Sequence, residues 1–467
     1  MYDLGLKNGF VIDPLNDRKG FYDIAVDNGK IVKVASRGSN LKAKKYFDLQ
    51  GLYVCPGLID THVHVTSLFI GKPLGYSMLA KAGVTTAVDF AGPIDEILEI
   101  MPYQGSGINL ACCNALLPDN IVNYNSPSNK KETQSFIEES LKKGAFGIKL
   151  LGGHFPLDPE IIRNAIEICN KMRIFIASHV GSTKTGSDLK GVREAVILAK
   201  RQKLFMAHVN AYCRGAIDNP LLEINEVIKL LEKNPNIYSE SHLASINGTS
   251  AKCVQGIPQS RVTCNCLNSK GYSLDKKGLE KAILDGYAQI MKTERDNIIR
   301  LINGEEGVKY WKDNLTAVGV SFPVNRSDSA FIFSSARKKD DSFVVDIIST
   351  DGGAIPRNVL LQKGLCLVKF GAINLKEMIY KMSSRPAQLL GLNNKGHFSP
   401  GADADITVFN YEKQQAVHSL VEGKFILKNQ KVIGEKGKII TTHFGEKYLK
   451  QKQIPYIICK NLPLFMD

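Results

Sequence analysis

PGLIDTHVHV, residues 56–65, is an apolar strand that ends in two histidines two positions apart. Side chains alternate across a strand, so His62 and His64 share one face, and both imidazoles can reach a single metal ion at its C-terminal end. A lone His-x-His pair is equally compatible with a core or surface role, so the rest of the chain has to decide.

From Val54 onward, apolar runs of strand length alternate with amphipathic helical segments, the pattern of parallel β/α units. Eight strands are expected: Leu58 to Val63, Thr85 to Phe90, Ile108 to Leu116, Ala145 to Leu150, Ile174 to Ser178, Leu204 to Ala207, Ile237 to Ser241 and Val344 to Ser349. Helices fit between them at Glu132 to Lys143, Pro159 to Met172, Val192 to Arg201 and Leu221 to Lys233. Eight such units close naturally into a TIM-type barrel over residues 54–392. Between the seventh and eighth strands lies an insertion at about 242–343, expected to contain a helical hairpin from Asp275 to Asn303, and either to shape a binding site or lid or to elaborate the surface.

The first 53 residues read as short strands, Asp3 to Lys7, Phe21 to Val26 and Ile31 to Ala35, with Asn28-Gly29 as a hairpin turn. β texture returns at Gly401 to Phe409, Val417 to Glu422 and Lys424 to Ile433. The expected fold is therefore α/β: a (β/α)8 TIM-type barrel with a small β-sandwich domain formed by both termini, residues 1–53 and 393–467.

Lys and Arg number 60 against 46 Asp and Glu, a formal charge of +14, but they are scattered rather than massed. A solvated surface is the expectation, with no nucleic-acid and no membrane partner, although the surplus favours anionic substrates by long-range steering. No stretch of about 18 apolar residues offers a membrane span. The ten cysteines show no disulfide-framework spacing, and the chain begins without a basic n-region and apolar h-region. Both features point to a soluble cytoplasmic protein with reduced thiols.

Other strand ends carry metal-compatible residues. His179 closes IFIASH, His208 closes LFMAH, and Asp351 follows VVDIIST. Singly, each has an ordinary explanation: a strand-end histidine forms a hydrogen bond, and an aspartate before Gly352-Gly353 forms a turn. Together they occupy the C-terminal rim where such barrels hold their catalytic groups. Lys149, in AFGIKLLGG, lies among apolar neighbours near the end of the fourth strand. Burial favours its neutral amine, which can take up carbon dioxide as a carbamate able to bridge two metal ions; a snorkelling or ion-paired lysine is the other reading.

PGLIDTHVH, Lys149, His179, His208, Asp351 and the closing GHFSPGADADITVFN (396–410) together resemble the amidohydrolase superfamily, with its dihydroorotase, hydantoinase and D-aminoacylase branches. That resemblance covers nearly the whole chain. It implies His62, His64 and Asp351 on one metal, His179 and His208 on the other, and carboxylated Lys149 between them. It also implies two zinc ions per subunit, a homo-oligomer, and hydrolysis of a non-peptide amide C–N bond in a small molecule by a metal-bridging hydroxide, with Asp351 as the catalytic proton shuttle. STDGGAIPR (349–357) and the large insertion resemble the D-aminoacylase branch, which typically has a cysteine ligand on the second strand where TTAVDF supplies Asp89. Overall length and Lys149 are closer to hydantoinase and dihydroorotase.

Substrate-holding candidates are His242, Asn247, Arg214, Arg357, Asn210 and His154; Cys264-Asn265-Cys266 is assigned no role. Competing readings are a mononuclear deaminase of the same superfamily, a non-catalytic hydantoinase-like assembly protein, which should lack several of the six ligands, and a nucleic-acid binder suggested by charge alone.

Overall fold

In the computed structural model, eight parallel strands follow one another around a closed ring: Leu58–His64, Val84–Asp89, Asn109–Leu116, Gly147–Leu151, Phe175–His179, Leu204–Met206, Ile237–His242 and Ile347–Ser349. The structure describes all residues except 67–73, 122–128, 295–297, 461 and 463–467. Every expected barrel strand is present, within about three residues at either end. Every residue of the first three strands is buried. Burial on both faces is why these segments read as continuous apolar runs and not as alternating ones.

The ring closes at Gly352–Gly353, which pair in parallel with Val63 and His64. Gly353 has φ +80°, and a Cβ there would stand 2.4 Å from the His64 carbonyl oxygen. Only glycine permits that approach, so the glycine pair after Asp351 is a requirement of closure. The helices form where expected. Pro159–Met172 and Pro220–Lys233 both begin with proline, whose missing N–H costs nothing at that position, and are capped by the side chains of Asp158 and Asn219.

Both termini build one nine-stranded sheet, joined where Tyr53–Pro56 pairs antiparallel with Ile406–Asn410. It has its own core, including Leu6, Val11, Ile24, Val54, Ile406 and Leu420. One part of the C-terminal segment departs from the expected 393–467 assignment. Lys438–Thr441 pairs in parallel with the third barrel strand, and Tyr456–Ile458 pairs with it in turn. The fourth barrel strand engages the third only from Cys113 onward, which leaves the edge at Asn109 to Ala111 for Lys438 to Ile440 to cover.

The insertion also differs from expectation. Only Lys276–Leu284 of the expected helical hairpin is helical; Gln289–Thr293 and Ile299–Ile302 form an antiparallel β-hairpin flanked by Gly319–Ser321, with residues 295–297 outside the description. The branched residues of Ile299-Arg-Leu-Ile302 suit a pleated surface better than a helix. The insertion packs around its own core of Leu267, Leu279, Ile283, Ile290, Trp311 and Phe322. No helix among the described residues is long and apolar enough to cross a membrane.

A buried ion cluster fastens the terminal sheet to the barrel. Lys395, 4% exposed, donates to Asp403 Oδ2 at 2.8 Å and to Asp405 Oδ2 at 2.6 Å. Asp405 also accepts from Asn109 Nδ2 of the third barrel strand and from the Glu422 backbone. Asp403 also pairs with Lys30, so removing the shared cation leaves the buried Asp405 carboxylate without a counter-ion among the described residues. Lys395→Met should therefore destabilise the protein by about 3–5 kcal/mol, read as a fall in the urea midpoint; an unchanged midpoint would show the cluster to be dispensable.

Candidate metal centre

All six expected ligands stand at the C-terminal ends of barrel strands and line a single cavity of about 630 Å³. Ligand atoms of His62, His208 and Asp351 lie within 4.8 Å of one another. Asp351 Oδ1 is 3.3 Å from His62 Nε2 and 2.9 Å from His64 Nε2. The His179 and His208 rings are 4.5 Å apart, centre to centre. Strand periodicity aims His62 and His64 inward, as their spacing required.

Two candidate ligands owe their direction to unusual backbone. His208 has φ +32° and Asp351 φ +54°, left-handed conformations that non-glycine residues seldom adopt. Each turns the chain sharply at a strand end, and such strain persists where surrounding structure enforces it. At His179 the enforcement is steric. A Cβ on Gly153 would lie 2.1 Å from His179 Nε2, so the Gly152-Gly153 pair lets the backbone pass against the ring. His179 Nε2 also meets Ser187 Oγ at 2.7 Å.

The donor chemistry fits divalent cations. Burial drives His62, His179 and His208 well below the usual histidine range, leaving neutral rings with free lone pairs. Burial raises the Asp351 carboxyl, but Arg357 and His62 outweigh it and hold the group well below the usual range. Lys149 is fully buried, its Nζ has no hydrogen-bond partner among the described residues, and it sits 4.3 Å above the Phe90 ring. Burial lowers its ammonium to about 8. An orphaned amine in a cage of imidazoles is costly as a purely structural feature. A carbamate would turn it into an anionic ligand.

The substrate-holding candidates divide. Arg357 is committed to the centre itself: Nη2 meets Asp351 Oδ2 at 2.5 Å, Nε donates to the Asp351 carbonyl at 2.5 Å, and Nη1 donates to the Ile246 carbonyl at 2.7 Å. It positions Asp351, contrary to its expected role as a carboxylate clamp. Asn210 does not line the cavity; its amide exchanges two hydrogen bonds with the His242 backbone and so latches the ends of the sixth and seventh strands. Asn247 lines the cavity but spends its oxygen on Phe322 N and its nitrogen on Cys266 Sγ, anchoring the insertion. His242 lines the cavity with an unpartnered buried Nδ1 and is lowered to about 3 by burial. His154 lies beside His179, ring centres 5.4 Å apart. Arg214 lines the mouth, held by a 2.7 Å hydrogen bond from Nη2 to Asn325 Oδ1. Asp89 does not line the cavity: it accepts backbone N–H bonds from Val65, Ala91 and Gly92.

Glu240 was missed. It is fully buried in the seventh strand and bonds His62 Nδ1 through Oε1, which also accepts His208 N at 3.2 Å, while Oε2 accepts Thr61 Oγ1 at 3.2 Å. Burial raises its carboxyl to about 7. By fixing Nδ1 it turns His62 Nε2 toward the centre, the common arrangement behind a metal-bound imidazole. The one signal in the sequence was spacing: a glutamate two positions before His242 on the same strand shares its inward face, and unpaired buried glutamates are rare.

The amidohydrolase family model matches residues 53–444. The dihydroorotase of Aquifex aeolicus is 23% identical over 440 residues, covering 89% of this chain and 91% of that protein. Among solved structures, the N-acyl-D-glutamate deacylase of Bordetella bronchiseptica, complexed with zinc and a phosphonate inhibitor, superposes with a TM-score of 0.65 at 15% identity, covering 94% of this chain and 99% of that one. The dihydropyrimidinase of Brevibacillus agri gives 0.60 at 17% identity, covering 93% and 97%.

Glu240→Leu removes the acceptor shared by His62, His208 and Thr61. Metal affinity should fall about 10–100-fold, measured by competition with a chromophoric chelator. Unaltered affinity would mean that His62 is oriented by packing alone.

Proposed function

The chain belongs to the amidohydrolase family and is a hydrolase of carbon–nitrogen bonds other than peptide bonds, and we propose that it works with two zinc ions bridged by carboxylated Lys149. The observation that carries this reading is the His62, His208 and Asp351 cluster beside the orphaned Lys149 amine. His62, His64 and Asp351 would hold one ion, and His179 and His208 the other. A donor set dominated by imidazole and carboxylate suits zinc. When bound, the ions lower the pKa of a coordinated water and polarise the substrate carbonyl.

The chain's own groups supply the rest. Asp351, kept ionised and oriented by Arg357, takes the proton of the attacking water and returns it to the leaving nitrogen as the C–N bond breaks. His242 offers its unpartnered ring nitrogen to the substrate, and His154 borders the entrance. Arg214, pinned by Asn325 and without a carboxylate partner among the described residues, grips a substrate carboxylate. The substrate is a cyclic amide or ureide, or an N-acyl-D-amino acid. All ten cysteines are free, which supports a cytoplasmic setting. A homo-oligomer completes the proposal, and sedimentation of the purified protein tests it.

Screening dihydroorotate, hydantoins, other cyclic ureides and N-acyl-D-amino acids with zinc-loaded protein tests the activity; release of no product from any of them would count against it. Asp351→Asn should retain most of its metal yet lose about 10²–10⁴-fold in kcat. Lys149→Ala should lose metal together with activity, and the intact protein's mass should carry bound carbon dioxide on Lys149. A Lys149→Ala protein with full metal and full rate would rule out the bridge and favour a mononuclear site.

A further inference from the structure

The mouth of the cavity is roofed by one face of the insertion helix Arg261–Asn268. Arg261, Asn265 and Ser269 are spaced four apart, so they recur on one side of the helix, and all line the cavity, as does Lys270 just beyond the helix end. Thr263 and Leu267 are buried, Leu267 in the insertion's own core. Arg214 lines the same cavity from the loop after the sixth strand. Its direction is fixed because Asn325, which accepts from it, donates at 3.3 Å and 2.8 Å to the carbonyls of Ala244 and Ile246.

Charge in this mouth is one-sided. Arg214, Arg261 and Lys270 have no ion-pair partner among the described residues. The cavity's two carboxylates are already committed, Asp351 to Arg357 and Asp188 to the first backbone N–H groups of the helix Leu189–Ala199. A chain of +14 leaves many cations unpaired on its surface. Here, though, cations from two separate segments border one cavity that also contains the candidate metal centre, and among the described residues neither of its carboxylates forms an ion pair with them.

We propose that Arg261 and Lys270 form a second anion subsite above Arg214, so that the substrate is a dianion. One carboxylate, near the scissile amide, meets Arg214; a second, several atoms further out, meets the roof. An N-acyl amino acid with an acidic side chain, or a cyclic amide bearing two carboxylates, has this form. The proposal rests on the hydrolase reading only for where the scissile amide lies. The insertion thereby selects the substrate's outer end, while the barrel rim handles its reacting end.

The test compares binding of glutarate and valerate, chains of equal length with two and one carboxylates, to the zinc-loaded protein by calorimetry at low salt. Glutarate should bind at least about tenfold more tightly. In the double variant Arg261→Ala/Lys270→Ala, both positions being exposed and outside the catalytic machinery, that preference should shrink to about twofold or less, while valerate affinity stays unchanged. Arg261→Lys/Lys270→Arg should restore most of it. Equal affinities in the unaltered protein, or a full glutarate preference in the double alanine variant, would overturn the subsite. A protein that prefers glutarate but hydrolyses none of the amides screened keeps the subsite and overturns the hydrolase reading instead.

Discussion

The geometry of the centre depends on the closure of the barrel, where Gly352 and Gly353 pair with Val63 and His64. Asp351 precedes this pair by one residue, in a left-handed turn, so the backbone hydrogen bonds that complete the ring also carry its carboxylate to the two histidines of the first strand. A side chain in Gly353's place would collide with the His64 backbone. Ring closure and ligand assembly are thus one event, and residues 287 positions apart meet without any dedicated contact between distant loops.

Around that closure the protein has buried an unusual density of ionisable groups and satisfied them selectively. Glu240 holds His62 and His208, Arg357 holds Asp351, and Asp60 accepts from Thr350, just past the eighth strand, and from the His62 backbone. Burial raises Asp60 and Glu240 to about 7. The Lys149 amine, by contrast, has no hydrogen-bond partner among the described residues. In a low-dielectric interior a satisfied network fixes geometry, while an unsatisfied group is reactive or takes a ligand. The contrast between Lys149 and its neighbours is what turns a cluster of polar residues into a candidate site.

The insertion adds a second layer with a separate physical origin. Its core of Trp311, Phe322 and Leu279 is distinct from the barrel's, and its inner helix presents Arg261 and Asn265 to the cavity beside Val262 and Cys266. Asn247 and Asn325 join it to the strand ends through backbone and sulfur contacts. Substrate choice and chemistry are therefore borne by different elements, an arrangement that lets one change without the other.

The sequence by itself determined the eight strands, the pairing of the two termini, and the placement of His62, His64, Lys149, His179, His208 and Asp351 at strand ends. Strand length, apolar run and residue type are local properties, and a parallel barrel puts every strand's C-terminal end on the same rim. It did not determine how Arg357 and Asn210 would be used, because each was identified by its type as a substrate-binding group, and only folding revealed nearer partners in Asp351 and the His242 backbone. Nor did it yield the hairpin at Gln289 to Ile302, where cross-strand pairing decided the secondary structure, or Glu240, whose meaning depends on a ring nitrogen 178 residues away. Short-range pattern fixes which residues point inward; which of them touch is settled by the closing of the ring, since hydrogen bonds and charge pairs act over a few ångströms of space and not along the chain.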